Sequence, residues 1–135
     1  MRASHGRRRE RGASAVEFAL MLPFLMLVLA GIVDFGRAFF VEIQLANAAR
    51  EGARAAIISP TNNADIQARA TRAAQQVPSL SFPTIVACPN ASNEATVKAQ
   101  SQIQWVFMAP AMRFFGGPSW TTKTLSSTAV MKCGG

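Results

Sequence analysis

Apolar residues are spread very unevenly along this chain. From Ala13 to Val33 the sequence ASAVEFALMLPFLMLVLAGIV is interrupted only by Ser14 and the carboxylate of Glu17. Its 21 residues, wound as a helix, reach roughly 31 Å, about one bilayer hydrocarbon core. Pro23 would break a helix in water, but a membrane helix tolerates it with a kink, because neighbours and water satisfy the freed carbonyl. The pattern predicts a transmembrane helix over 13–33, and the rest of the chain reads as material carried outside the membrane by it.

The apolar run gives way at Asp34 to a mixed pattern with no proline before Pro60. Phe35, Phe39, Ile43, Ala46, Ala49, Ala53 and Ile57 recur at spacings of three and four, which predicts one apolar stripe on a continuing helix. Asp34–Arg37 and Glu51–Arg54 are i, i+3 pairs, each worth a few tenths of a kcal/mol. Alanines crowd the later part of the stripe, so a neighbouring element can approach closely there. That neighbour is either the chain's own globular part or another subunit. Pro60 ends the helix, and Asn62 or Asn63 can cap the next one.

Residues 64–77 (ADIQARATRAAQQV) predict a short second helix that buries Ile66, Ala70, Ala73 or Ala74, and Val77. Prolines 78, 83 and 89 then punctuate an extended stretch, with a short strand expected over Thr84–Cys88. Glu94–Phe107 alternates clearly: Val97, Ala99, Ser101, Ile103, Trp105 and Phe107 on one face, Lys98, Gln100, Gln102 and Gln104 on the other. This suits an antiparallel strand with one solvated face. Residues 109–119 read as a loop with an apolar tip at Met112, Phe114 and Phe115, either tucked over the sheet edge or forming a contact surface. Trp120–Cys133 predicts a last strand with Leu125, Ala129 and Met131 inward. The expected fold class is α+β: one long N-terminal helix, a short helix and a small antiparallel sheet.

Charge changes the picture of the first twelve residues. The chain carries +7 and an overall pI near 11.1, as a nucleic-acid binder would. Yet residues 1–12 hold five of the fourteen basic residues and one acid, so without them the charge falls to +3. Basic residues packed against a membrane span act as a topology signal, which places the N-terminus in the cytoplasm and the C-terminus outside. Arg37, the one basic residue close behind the span, is outvoted. Nucleic acid is therefore not an expected partner. Residues 1–12 are expected to be disordered or bound at the headgroups, as a retained anchor or as a leader cut after Gly12. A conventional secretory signal competes, but its candidate sites, Val28-Leu29-Ala30 within the run and Ala46-Asn47-Ala48 well past it, are poor.

Candidate chemistry is sparse. The one histidine, His5, lies in the basic tail, and tyrosine is absent. No His/Cys/Asp/Glu spacing suits a metal, and Gly116-Gly117-Pro118 lacks the lysine of a phosphate loop. Neither catalysis, a cofactor nor a small-molecule substrate is expected. Asn90-Ala91-Ser92 forms a glycosylation triplet of the kind that arises by chance. Cys88 and Cys133 allow one intramolecular pairing, expected as a disulfide in an oxidising compartment; two separate free thiols are the alternative.

Glu17 is the residue out of place, since a carboxylate in an apolar segment is costly unless paired or near the interface. A cut after Gly12 would give Ala13 a new α-amino group, positive at neutral pH. Glu17 follows it by about one helical turn, so the two charges can neutralise one another within a subunit or between neighbours. Otherwise Glu17 lies at the membrane edge and snorkels or is protonated.

The junction Arg11-Gly12, followed by Ala13-Ser14-Ala15-Val16-Glu17-Phe18 and an apolar helix, resembles the processing site of type IV pilin-like proteins. RGASAVEFALMLPFLMLVLAGIVDFGRAFF (11–40), QLANAAREGARAA (44–56) and the terminal LSSTAVMK (125–132) resemble the TadE-like family of tight-adherence pilus systems. The resemblance is strong over 11–57, weaker at the C-terminus and absent between. It implies a pilin-like minor pilin or pseudopilin, cut by a prepilin peptidase between Gly12 and Ala13, with Glu17 as the assembly glutamate. Its partners would be the membrane, other pilin subunits and the assembly machinery. Phe18 stands where the major pilins tend to carry tyrosine, which favours a minor component. The cysteine pair has no counterpart in this pattern.

Four segments are thus expected: a leader (1–12), a transmembrane helix (13–33), its amphipathic extension (34–58) and a small extracytoplasmic domain (59–135). The alternative is an uncleaved single-pass anchor displaying a binding domain, which has no need of Gly12 or of a carboxylate one turn after it.

Overall fold

The computed structural model of the protein describes residues 6–89, 93–114, 116–117 and 121–134. The glycosylation triplet, the basic tail up to His5, and Phe115 and Trp120 of the expected tip and last strand lie outside the described residues. The architecture is α+β: α1 (Gly6–Ile58), α2 (Asn63–Arg72), β1 (Ser81–Val86), β2 (Glu94–Gln104), α3 (Met108–Phe114) and β3 (Thr122–Lys132).

Helix α1 runs 53 residues without interruption, roughly 80 Å at 1.5 Å per residue, and passes through Pro23. It begins earlier than the sequence suggested: residues 6–12 are already helical, which corrects the expectation of disorder there. It ends two residues before Pro60. The side chain of Asn62 then caps α2 by accepting from the backbone N–H of Asp65 at 3.2 Å. An ion pair between Asp65 and Arg69, one turn apart at 3.1 Å, reinforces the same helix.

The three strands form one antiparallel sheet with β2 in the middle and β1 and β3 at its edges. Strand β2 buries Ala95, Val97, Ala99, Ser101 and Ile103 in strict alternation, as the sequence period predicts for Val97 to Ile103. It ends at Gln104, however, so Trp105 and Phe107 do not continue the buried face, and Phe107 is half exposed. Ser101 is tolerated on this apolar face because its hydroxyl donates to the carbonyl of Pro78. Strand β1 lies a few residues earlier than expected. Its register with β2 shifts between Ser81 and Thr84, around Pro83, which an edge strand accommodates because it lacks an outer hydrogen-bonding neighbour.

The second half of α1 packs with α2 across the buried face of this sheet. One cluster joins Val41, Leu45, Ala48 and Ala49 of α1 to Ala74, Val77, Ala99 and Ile103. A second joins Ala53, Ala55 and Ala56 to Ile66, Ala95 and Val97. The small residues allow the close approach. At Gly52 an added Cβ would stand 2.9 Å from Cγ1 of Val97 and 3.3 Å from Cβ of Ala70, so helix, helix and sheet meet there.

The expected stripe on α1 is corrected in its upper half. Ala49 and Ala53 are buried, but Phe35, Phe39 and Ile43 remain exposed, and Val41 and Leu45 face the core instead. Apolar residues surround this part of the helix, so helical spacing alone fits more than one phase. The sheet selects the phase that buries Leu45.

Candidate functional site

Two features of α1 stand apart from the core: its bare apolar first half and a buried carboxylate where that half ends. Residues 12–29 are exposed throughout, including Phe18, Leu20, Met21 and Phe24. This is the one helix among the described residues that is long and apolar enough to cross a membrane, and none of its most apolar stretch is buried against the chain. An apolar surface of this length is not stable in water, and it meets the requirement for a bilayer core. The structure thus supports a single-pass membrane protein.

Gly12, Ala13 and Glu17 all lie on this exposed helix. A Cβ added at Gly12 would meet nothing within 4 Å. Glycine inside a helix costs about 1 kcal/mol relative to alanine, and here no contact within the described chain accounts for it. Ala13 and Glu17 are four helical positions apart, and so share a face.

Asp34 is the second feature. It follows Val33, the last residue of the apolar run, yet it is only 2% exposed. Its Oδ1 accepts from the backbone N–H of Val106 at 3.2 Å, and its Oδ2 accepts from Phe107 at 2.9 Å and Met108 at 2.7 Å. Helix α3 has no acidic residue in its first turn, and Gln104-Trp105-Val106-Phe107 before it supplies none of the usual capping residues. Asp34 supplies the cap from more than seventy residues away. This corrects the expectation that Asp34 serves Arg37 one turn on. The sequence signal was negative: a short helix without a local cap needs an acceptor from elsewhere, and Asp34 is the acid at the end of the apolar run.

The 109–119 segment is also corrected. Instead of a loop over the sheet edge, Met108–Phe114 form α3, which lies against α1. Pro110 falls in the first turn, where the missing N–H is harmless. Met112 is half-buried and Phe114 is exposed. Just before α3, Trp105 meets Phe35 edge to face, ring centroids 5.4 Å apart.

At the opposite end of the sheet, Cys88 and Cys133 are paired as a disulfide with Cα atoms 5.8 Å apart. Cys88 lies just past β1 and Cys133 just past β3, so the bridge ties the two edge strands together beyond the start of β2. Among the described residues no group of three or more His, Cys, Asp or Glu is placed to hold a metal ion.

No curated protein and no solved structure matches the chain. Residues 12–54, which make up most of α1 and include Gly12, Glu17 and Asp34, match the model of the TadE-like protein family.

Proposed function

We propose that this protein is a structural subunit of a tight-adherence pilus, a minor pilin or pseudopilin, held in the membrane by the first half of α1 before assembly. The observation that carries the reading is the exposed apolar helix, TadE-like from Gly12 onward, with a carboxylate one turn after that glycine. A prepilin peptidase removes residues 1–12, and the new amine of Ala13 pairs with Glu17. The helix then leaves the bilayer for a bundle of similar helices, where the same apolar surface is covered by neighbours. Pairing matters in that transfer, because an isolated charge is costly in an apolar assembly.

The second half of α1, with α2 and the sheet, forms the domain on the outer side, where an oxidising compartment favours the Cys88–Cys133 bridge. The role is structural rather than catalytic. It requires other pilin subunits and the assembly machinery, and no cofactor. The exposed face bearing Phe35, Phe39 and Ile43 suits contact with neighbouring subunits next to the helix bundle.

The test compares wild type with Glu17→Ala in cells, quantifying the protein in sheared filaments and in membranes. The reading expects wild type in both fractions and the variant in membranes alone. Equal incorporation of the variant, or absence of wild type from filaments, would overturn it.

A further inference from the structure

From Trp105 to Gly117 the chain reads WVFMAPAMRFFGG, with Arg113 as its one charged residue. So few charges leave apolar side chains facing outward: Phe107 is 50% exposed and Phe114 87%. The direction of α3 gives this exposure a meaning. The helix starts where Asp34 holds the N–H groups of 106–108, level with the end of the apolar run. From there it turns back along the apolar half of α1 rather than over the sheet. Phe107, Ala111 and Phe114 line an open groove of about 500 Å³ together with Leu27, Ala30 and Val33. The seven residues of α3 cover roughly 10 Å, so a helix running back along α1 carries Phe114 up to about that far below Asp34.

We propose that α3 is an interfacial helix seated in the outer leaflet of the bilayer, with lipid acyl chains filling the groove between α3 and α1. The inference rests on reading α1 as a membrane span, and it follows from continuity with that span: the groove's inner wall is made of residues already placed in hydrocarbon. A depth of roughly 10 Å matches the 5–10 Å to which interfacial helices enter a bilayer.

Three further features fit this depth. Backbone polar groups cannot enter hydrocarbon unsatisfied, and at the start of α3 the N–H groups of Phe107 and Met108 are bonded to Asp34. The Phe35–Trp105 pair lies where the apolar run ends, the level at which aromatic side chains concentrate in membrane proteins. Arg113 is exposed near the deeper end of α3, and its long stem allows the guanidinium to reach lipid phosphates. The domain is thereby held to the membrane at two points, the span and α3, and its tilt relative to the bilayer is fixed.

The experiment places the photoreactive residue p-benzoyl-phenylalanine at Phe114, at Met21 on the span, or at Val130 on the outer face of β3. The full chain is reconstituted in vesicles of phosphatidylcholine and phosphatidylglycerol (3:1), irradiated, and its adducts are identified by mass. All three positions are exposed, so the label disturbs no core contact. The proposal expects lipid adducts at positions 21 and 114, each at least tenfold above position 130. Lipid adducts at 21 with position 114 at the level of 130, or cross-linked to a second copy of the chain, would overturn the interfacial helix and leave the span intact. Absence of lipid adducts at both 21 and 114 would overturn the span, and the inference with it.

Discussion

Replacing Asp34 with alanine removes one acceptor group and three hydrogen bonds together. Bonds to a charged group contribute about 1.5–3 kcal/mol each when both partners are buried. Here the loss is limited, because freed N–H groups at 106–108 regain water once α3 lifts away from α1. A helix cap alone is worth about 1 kcal/mol. A total near 3 kcal/mol follows, felt as local detachment of α3 before any global unfolding. Hydrogen exchange on the full chain in vesicles reads this directly. Amides of Phe107 and Met108 should lose protection by about a hundredfold, while those of β2 between Val97 and Ile103 keep theirs. Asp34→Asn, which retains one acceptor oxygen but no charge, should fall about midway on the logarithmic scale. Unchanged exchange at 107 and 108 in Asp34→Ala would refute the capping argument. An equal loss throughout β2 would refute its local character.

Other substitutions separate packing from assembly. Gly52→Ala gains about 1 kcal/mol of helix propensity but drives a Cβ to 2.9 Å from Val97; overpacking of this kind costs about 1–3 kcal/mol, so a lower thermal midpoint is expected and a higher one would contradict the close approach. The Cys88–Cys133 bridge closes a sequence separation of 45, for which the chain-entropy relation gives about 4 kcal/mol; denaturant unfolding of Cys88→Ser/Cys133→Ser with and without reductant should show that loss, and reductant should add nothing further. Leu45→Ala, at a fully buried position, should cost about 2–5 kcal/mol in chemical denaturation. Phe39→Ser, at a position 63% exposed, should leave stability within about 0.5 kcal/mol yet reduce the protein in sheared filaments; unchanged incorporation would exclude that face from subunit contact.

Local rules made much of the fold legible. Strand β2 alternates so regularly that its buried positions from Val97 to Ile103 could be listed from sequence, though not where the strand ends. The start of α2 was announced by the asparagines after Pro60, of which the structure uses Asn62. The long helix was legible because nothing between Val33 and Ile58 stops it. The failures have a common origin in contacts distant along the chain. Phe35, Phe39 and Ile43 share helical spacing with the true core positions, and only the packed sheet selects between the phases. Asp34 has an attractive local partner in Arg37, but its actual partners are backbone groups at 106–108. Residues 109–119 read as a loop because a seven-residue helix is too short to show a helical period and carries no cap of its own. Of the candidate site, the exposed apolar helix was readable directly, while the cap that ties α3 to the end of that helix was not.

The central claim is that the first half of α1 is the assembly helix of a subunit processed after Gly12, and intact mass tests it most directly. The protein is purified from its native membrane beside a Gly12→Leu variant, whose side chain meets open space and leaves the fold undisturbed. The account predicts that wild type lacks residues 1–12 and begins at Ala13, and that the variant retains them. Retention of residues 1–12 in both samples would contradict it and favour an uncleaved anchor.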